Sequence, residues 1–253
     1  MKQQIRKWTF RLALTAVSIA ALLLVIILNP LLTYAKGTSH NNYTIFHDKT
    51  LDRSLTIRLD EATALIKASE YYNSKLHLDI CLNDGSGYPK LMQTLRGRAF
   101  AWGFYDKVVL QGTANYKDNY VELNGYKWNL SQLLAHEIIH CLQFDKLGFW
   151  KSKPVASIPV WKWEGYAEYV SRQNNNQKYL FKNITRLYAT DKKSWAIYFP
   201  DSTIAPRQYY DYWTLVQYRM DIVKMSYQQL LADTTSENAV RQEMINWYNK
   251  LKL

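Results

Sequence analysis

Asn129-Leu130-Ser131-Gln132-Leu133-Leu134-Ala135-His136-Glu137-Ile138-Ile139-His140-Cys141-Leu142 is the stretch around which this chain is organised. Leu130, Leu133, Leu134, Ile138, Cys141 and Leu142 recur at three- and four-residue steps, which predicts a helix with one apolar face. Asn129 can cap its start, and Gln132 can return the bond to the cap backbone. The stretch contains H-E-x-x-H. On a helix, His136 and His140 lie one above the other on a single face. Two imidazoles so placed can hold one zinc ion at about 2.0–2.1 Å each. Glu137 sits beside them and can take a proton from a water that the metal acidifies.

A catalytic zinc needs at least three protein ligands and one open position. The chain has five histidines, His40, His47, His77, His136 and His140, so none follows His140. No cysteine follows Cys141 either, so a downstream third ligand must be a carboxylate. Asp145 is nearest, but five helical steps carry it about 140° away from the His140 direction. Glu164 fits better. It lies in Val160-Trp161-Lys162-Trp163-Glu164-Gly165-Tyr166-Ala167-Glu168-Tyr169, a second helical stretch beyond the loop Lys151 to Pro159. An antiparallel return can set its carboxylate opposite the imidazoles. Gly165 is costly inside a helix and makes sense where two helices or a ligand approach closely. Glu168, one turn on, can hold the far ring nitrogen of His136 or His140 and fix its tautomer. A hydrolase of this kind also needs a donor for the developing oxyanion. Arg207-Gln208-Tyr209-Tyr210-Asp211-Tyr212-Trp213 offers tyrosines, of which Tyr209 and Tyr212 can share a face; Arg207 is a weaker candidate.

The two motifs together, His136-Glu137-x-x-His140 and Trp163-Glu164-Gly165-Tyr166-Ala167-Glu168-Tyr169, resemble the gluzincin branch of the zincin metallopeptidases, including small bacterial membrane-anchored members. There H-E-x-x-H is followed by a glutamate ligand in a W-x-x-E-G-x-A-x-Y-like stretch. The resemblance covers about Leu55 to Trp247. It implies His136, His140 and Glu164 as zinc ligands, Glu137 as general base, and Tyr209 or Tyr212 as the tyrosine that steadies the transition state. It implies a peptide or protein substrate lying along an edge strand, for which Phe104 to Leu110 or Tyr120 to Leu123 would serve. The late histidine of thermolysin-type sites is missing, which favours the tyrosine-using type. A zincin fold that keeps its metal and acts only as a membrane-anchored binding or scaffold protein is the alternative.

The remaining chain supplies the frame. Its 253 residues suit one domain plus an appendage, and 48% hydrophobic with 15% aromatic content is ample for a core. Net charge is +11; Lys2, Arg6, Lys7, Arg11 and Lys36 account for five of these charges and leave +6 for the rest. That excess is scattered and no nucleic-acid motif accompanies it, so nucleic acid is excluded as a partner. The two cysteines, Cys81 and Cys141, make no disulfide framework; buried thiols are expected, and a single bridge stays open.

Leu12 to Leu28, extendable to Leu32, is apolar and long enough to cross about 30 Å of hydrocarbon. Four basic residues precede it, which sets the N-terminus in the cytoplasm and the rest outside the cell membrane, as a single-pass protein. Thr33-Tyr34-Ala35 would suit signal cleavage, but the run is long for a signal core and a retained anchor is preferred. The division expected is residues 1–35 as membrane anchor, 36–52 as a polar tether and 53–253 as the zincin-like domain. Within that domain the expected elements begin with a helix from Asp60 to Asn73, a strand from Leu76 to Leu82 and a short helix from Tyr88 to Leu95. Phe100 to Leu110 and Tyr120 to Leu123 read as strands, the latter ending in the Asn124-Gly125 turn. Helices follow over Trp161 to Arg172, Lys178 to Tyr188, Pro206 to Val223, Tyr227 to Leu231 and Glu237 to Leu251. The fold class is therefore α+β: a small N-terminal mixed sheet, the H-E-x-x-H helix, a mainly helical C-terminal half, and one transmembrane helix in front.

Overall fold

The computed structural model describes residues 2–174 and 177–252; Asn175 and Asn176 of the Asn174-Asn175-Asn176 interruption lie outside them. The chain opens with α1 (Lys2–Leu28), followed by the strand pair β1 (Lys36–His40) and β2 (Tyr43–His47). Next come α2 (Ser54–Ile66), β3 (Leu78–Cys81), α3 (Tyr88–Arg96), β4 (Ala101–Phe104) and β5 (Lys107–Leu110). A second sheet, β6 (Thr113–Asn115), β7 (Tyr120–Leu123) and β8 (Tyr126–Asn129), runs directly into α4 (Leu130–Leu147). Then follow α5 (Val160–Ser171), α6 (Leu180–Ala189), the hairpin β9 (Ala196–Tyr198) and β10 (Ile204–Pro206), α7 (Arg207–Gln217), α8 (Tyr227–Ala232) and α9 (Glu237–Lys250). The α+β class and the helical C-terminal half hold; the small β9–β10 hairpin inside that half was not expected.

The main sheet is mixed, in the order β1-β2-β3-β5-β4. β2, β3 and β5 are mutually parallel, while β1 and β4 are antiparallel edges. This corrects the tether. Tyr43-Thr44-Ile45-Phe46 pairs with Leu78 to Cys81 inside the sheet, and Ile45 is fully buried. It corrects the edge-strand expectation too. Lys107–Leu110 is an interior strand and Tyr120–Leu123 the middle of the second sheet, so β4 is the free edge on the side of α4. A third correction concerns α2, which starts at Ser54 rather than Asp60 and stops at Ile66. The acids read as its start are lateral partners instead: Asp60 meets His40 at 2.8 Å and Glu61 meets Arg58 at 2.7 Å.

α4 is the centre of the core. It packs against α2, α5, β4 and β5, and every residue from Leu130 to Gln143 is buried. The apolar face predicted for it is real, but its other faces are covered as well. Asn129 caps the start by accepting a bond from the Gln132 backbone N–H at 3.0 Å. The reciprocal bond is absent, because the Gln132 side chain is bonded to Gln177 and Arg172 instead. Gly148 closes the far end at φ +76°, a conformation glycine adopts without strain. Two further glycines set approach distances. A Cβ on Gly103 would run into the Glu137 carbonyl of α4, and one on Gly165 would lie 2.6 Å from the Tyr212 carbonyl oxygen. Gly165 thus serves the contact of two helices, α5 and α7.

Arg6–Leu28 of α1, 23 residues, is long and apolar enough to cross a membrane, a property that a signal sequence shares. The residues after it are built into the sheet end. Pro30 and Tyr34 are buried. The Tyr34 hydroxyl donates to the Leu82 carbonyl at 2.8 Å, and the Tyr88 hydroxyl to that of Ile27 at 2.6 Å. Ser86 donates to the Thr33 carbonyl, and the Ala35 N–H to Asp48. Tyr34, Phe46, Cys81, Tyr88, Met92 and Val109 form a small separate core here. Cys81 lies in it and Cys141 in the main core, both as free buried thiols.

Candidate metal centre

α4 and α5 bring three ligand atoms together. His136 Nε2 and His140 Nε2 lie 3.1 Å apart, and Glu164 Oε2 lies 3.4 Å from the first and 3.2 Å from the second. A tetrahedral ion with ligand bonds of about 2.0–2.1 Å sets its ligand atoms about 3.3 Å from one another. All three edges match that figure, so His136, His140 and Glu164 form a group that could hold a metal ion. The other histidines are committed elsewhere: His40 to Asp60, His47 to Thr38 and Lys49, His77 to Thr44. Asp145 accepts from Asn73, away from the centre.

The ring orientations are fixed from behind. The Gln143 amide nitrogen donates to the Trp163 carbonyl at 3.2 Å and bonds the Tyr227 hydroxyl at 2.7 Å. Its oxygen therefore faces His140 Nδ1, 2.8 Å away, and must accept from it. That puts the His140 proton on Nδ1 and leaves Nε2 free as a lone pair. Behind His136 stands Glu168, fully buried, with Oε1 3.4 Å from Nδ1. Both of those atoms are buried, and among the described residues neither makes a hydrogen bond elsewhere, so they face each other as partners. The second oxygen of Glu168 is bonded to Arg172, itself 1% exposed. Arg172 donates to Gln132 at 2.9 Å, which returns the network to α4. Aromatic faces complete the clamp: Trp163 stacks on His140 at 5.6 Å and Tyr209 on His136 at 6.0 Å, each within 8° of parallel.

The electrostatics ask for a cation. Burial drives the His136 pKa down, but Glu164 and Glu168 outweigh it and raise it to about 10. Burial likewise favours neutral Glu164, yet His140 and His136 hold its carboxyl far below the usual range. A proton on His136 thus stands where a metal's charge would be.

Glu137 lies next to this triad, and its Oε2 accepts from the Gly103 backbone N–H of β4 at 2.5 Å. All of these groups open on one cleft of about 1380 Å³ lined by β4, β8, α4, α5 and α7. Tyr209 lines it; its hydroxyl has no partner among the described residues. Burial, then Glu164 and Glu137, push its phenol pKa up, so it stays a proton donor. Tyr212 does not line the cleft. Its hydroxyl is bonded to Gln208 at 2.7 Å, and the charges that act on it are Glu237, Asp211 and Arg241 of α7 and α9. Of the two tyrosines, Tyr209 is the one placed on the cleft. Arg207 lines the cleft, but its guanidinium holds the Thr190 and Leu187 carbonyls at the end of α6. Sequence reasoning missed Gln143, Arg172 and Gly103. The first two had a signal: Gln143 is three residues past His140, and Arg172 is four past Glu168, both on the same helix faces. No family model matches the chain, and no curated protein matches it.

Proposed function

We propose that this chain is a zinc-dependent peptidase of gluzincin type, carrying a zincin-like domain on a retained N-terminal membrane anchor. The observation that carries the reading is the tetrahedral spacing of His136, His140 and Glu164 beside Glu137, on an open cleft bordered by a free strand edge. The donor set, two imidazoles and one carboxylate, suits zinc with a position left for water. Zinc bound there supplies a Lewis acid that polarises a carbonyl and acidifies water.

The chain's own groups do the rest. Glu137 takes the proton of the attacking water and returns it to the leaving amine. Its bond to Gly103 holds the carboxylate at the strand edge, where the scissile peptide would lie. The Phe100 carbonyl accepts from Gln111, so by strand alternation Ala101 and Gly103 turn their backbone groups away from β5; with the Gly103 N–H held by Glu137, the Ala101 backbone groups and the Gly103 carbonyl are left for an incoming peptide. Tyr209 donates its free hydroxyl to the oxyanion. On this reading the N-terminus is cytoplasmic and the cleft lies outside.

The test is metal content by elemental analysis together with peptide cleavage by wild type and Glu137→Gln. The expected result is about one zinc per chain in both and a loss of at least about a hundredfold in kcat for the variant. No zinc in the wild type, or equal cleavage by the two proteins, overturns the reading.

A further inference from the structure

The cleft walls carry cations that the chain does not neutralise. Arg96 and Arg98 stand just before the β4 edge, Lys153 on the connection between α4 and α5, and Lys192 on that between α6 and β9. Among the described residues none of these makes an ion pair with a carboxylate, and Arg96 feels the charges of Glu137 and Glu164 at the metal centre. The Arg96 guanidinium lies 4.5 Å from the Trp102 ring centroid and 5.5 Å from that of Phe104, which orients the charge along β4 without cancelling it. Arg241, also on the wall, pairs with Asp211 and Glu237. That pairing consumes Asp211, and the cleft's other acids are Glu137 and Glu164 of the metal centre. Beyond that centre every free charge in the cleft is positive.

Three separate segments aim like charges into one concavity, where the surrounding low-dielectric walls focus the field. Such an arrangement repels itself until an anion enters. We propose that the cleft selects acidic peptide segments, with Asp or Glu side chains flanking the bond presented to the metal centre. The proposal rests on the peptidase reading above and names its substrate class. An extended strand repeats its side-chain direction every second residue, about 6.6 Å apart, so alternate acidic residues can meet a wall of cations.

The experiment uses full-length, zinc-loaded protein in a neutral detergent and quenched-fluorescence peptides of one backbone, with Glu, Gln or Lys on both sides of the central bond. The expected order in kcat/KM is Glu over Gln over Lys, with roughly tenfold or more between the extremes at low salt. The spread should shrink as salt shortens the Debye length below about 10 Å. In the triple variant Arg96→Gln/Arg98→Gln/Lys192→Gln the Glu-to-Gln ratio should fall toward one, mainly through KM. Zinc content and melting temperature of the variant report whether it is folded. A second arm measures binding of the Glu and Lys peptides to zinc-loaded Glu137→Gln by fluorescence anisotropy, with no turnover required. Tighter binding of the Glu peptide without cleavage by wild type would sink the catalytic reading and leave the acidic preference standing. Cleavage with no charge preference, or a preference for Lys, would do the reverse. Competition by polyphosphate or by phosphatidylglycerol vesicles as strong as that of the Glu peptide would mark a general anion site and overturn the commitment to peptides.

Discussion

Gln143 has no exposed surface and makes three side-chain bonds, to His140, Trp163 and Tyr227. Its replacement by Leu removes the acceptor that keeps the His140 proton on Nδ1. Loss of such a supporting bond costs about 10–100-fold in metal affinity, so Gln143→Leu should weaken zinc binding by that factor in a chelator competition. Glu168 carries a different burden, since Arg172 is buried against it. Glu168→Ala leaves that guanidinium uncompensated and should cost about 3–5 kcal/mol in chemical denaturation, while removing both partners together costs less. His136 gives a pH signature. In the metal-free chain it keeps its proton up to about pH 10. Zinc needs the lone pair, so binding near neutral pH expels that proton, and affinity climbs about tenfold per pH unit toward that value. Calorimetry in buffers of different ionisation enthalpy reads the release; an affinity flat with pH would contradict it. Helical spacing alone puts His136 over His140 on α4 and Glu164 beside Glu168 on α5, while the meeting of the two pairs depends on how α5 returns against α4. Tyr209 and Tyr212 were not separable that way. Three residues apart, they differ by only about 60° around α7, and the packing of α9 and the cleft decides which is free.

Helix on helix contact is tightest where α5 meets α7. Gly165→Ala gains helix propensity of about 1 kcal/mol, but its Cβ would sit 2.6 Å from a backbone oxygen that cannot turn aside. Forcing the helices apart costs about 1–3 kcal/mol and moves Glu164, the next residue, off the imidazoles. The variant should melt several degrees lower and lose zinc before it unfolds, as followed by metal release during a thermal scan. The elements themselves were readable wherever periodicity is long: α4, α5 and α9 appear in the sequence within a few residues of their limits, whereas the helix expected over Pro206 to Val223 changes at Gln217 into a π-helical turn, Tyr218–Ile222. Strand order was not readable. Whether a strand is an edge or an interior member depends on partners tens of residues away, and Phe100 to Leu110, read as one strand, is the hairpin of β4 and β5, of which only β4 is an edge. The failure at 36–52 was avoidable in part, since Tyr43-Thr44-Ile45-Phe46 has strand-like composition. The polar residues around it concealed a hairpin whose second strand is buried.

Across the whole molecule, the junction between α1 and the sheet is the feature that local reading could not supply. Tyr34 is 6% exposed and sits in a core of its own with Phe46 and Tyr88. Tyr34→Ala should destabilise the full-length protein by about 3 kcal/mol, measured by denaturant titration in detergent. Cutting the chain after Ala35 would remove the same side chain together with the bonds that Thr33 and Ala35 make to the domain. The sequence assigned this region by composition, and composition does not say that Ile27, Thr33, Tyr34 and Ala35 are each hydrogen-bonded to the domain. Their bonding has a mechanical result. With the apolar helix kept as the proposed anchor, a groove mounted on such a stem would hold a set altitude and tilt over the bilayer. On the proposed peptidase reading it would sweep a thin layer just above the lipid, and the bonds within its reach would be those that other proteins display at that same height.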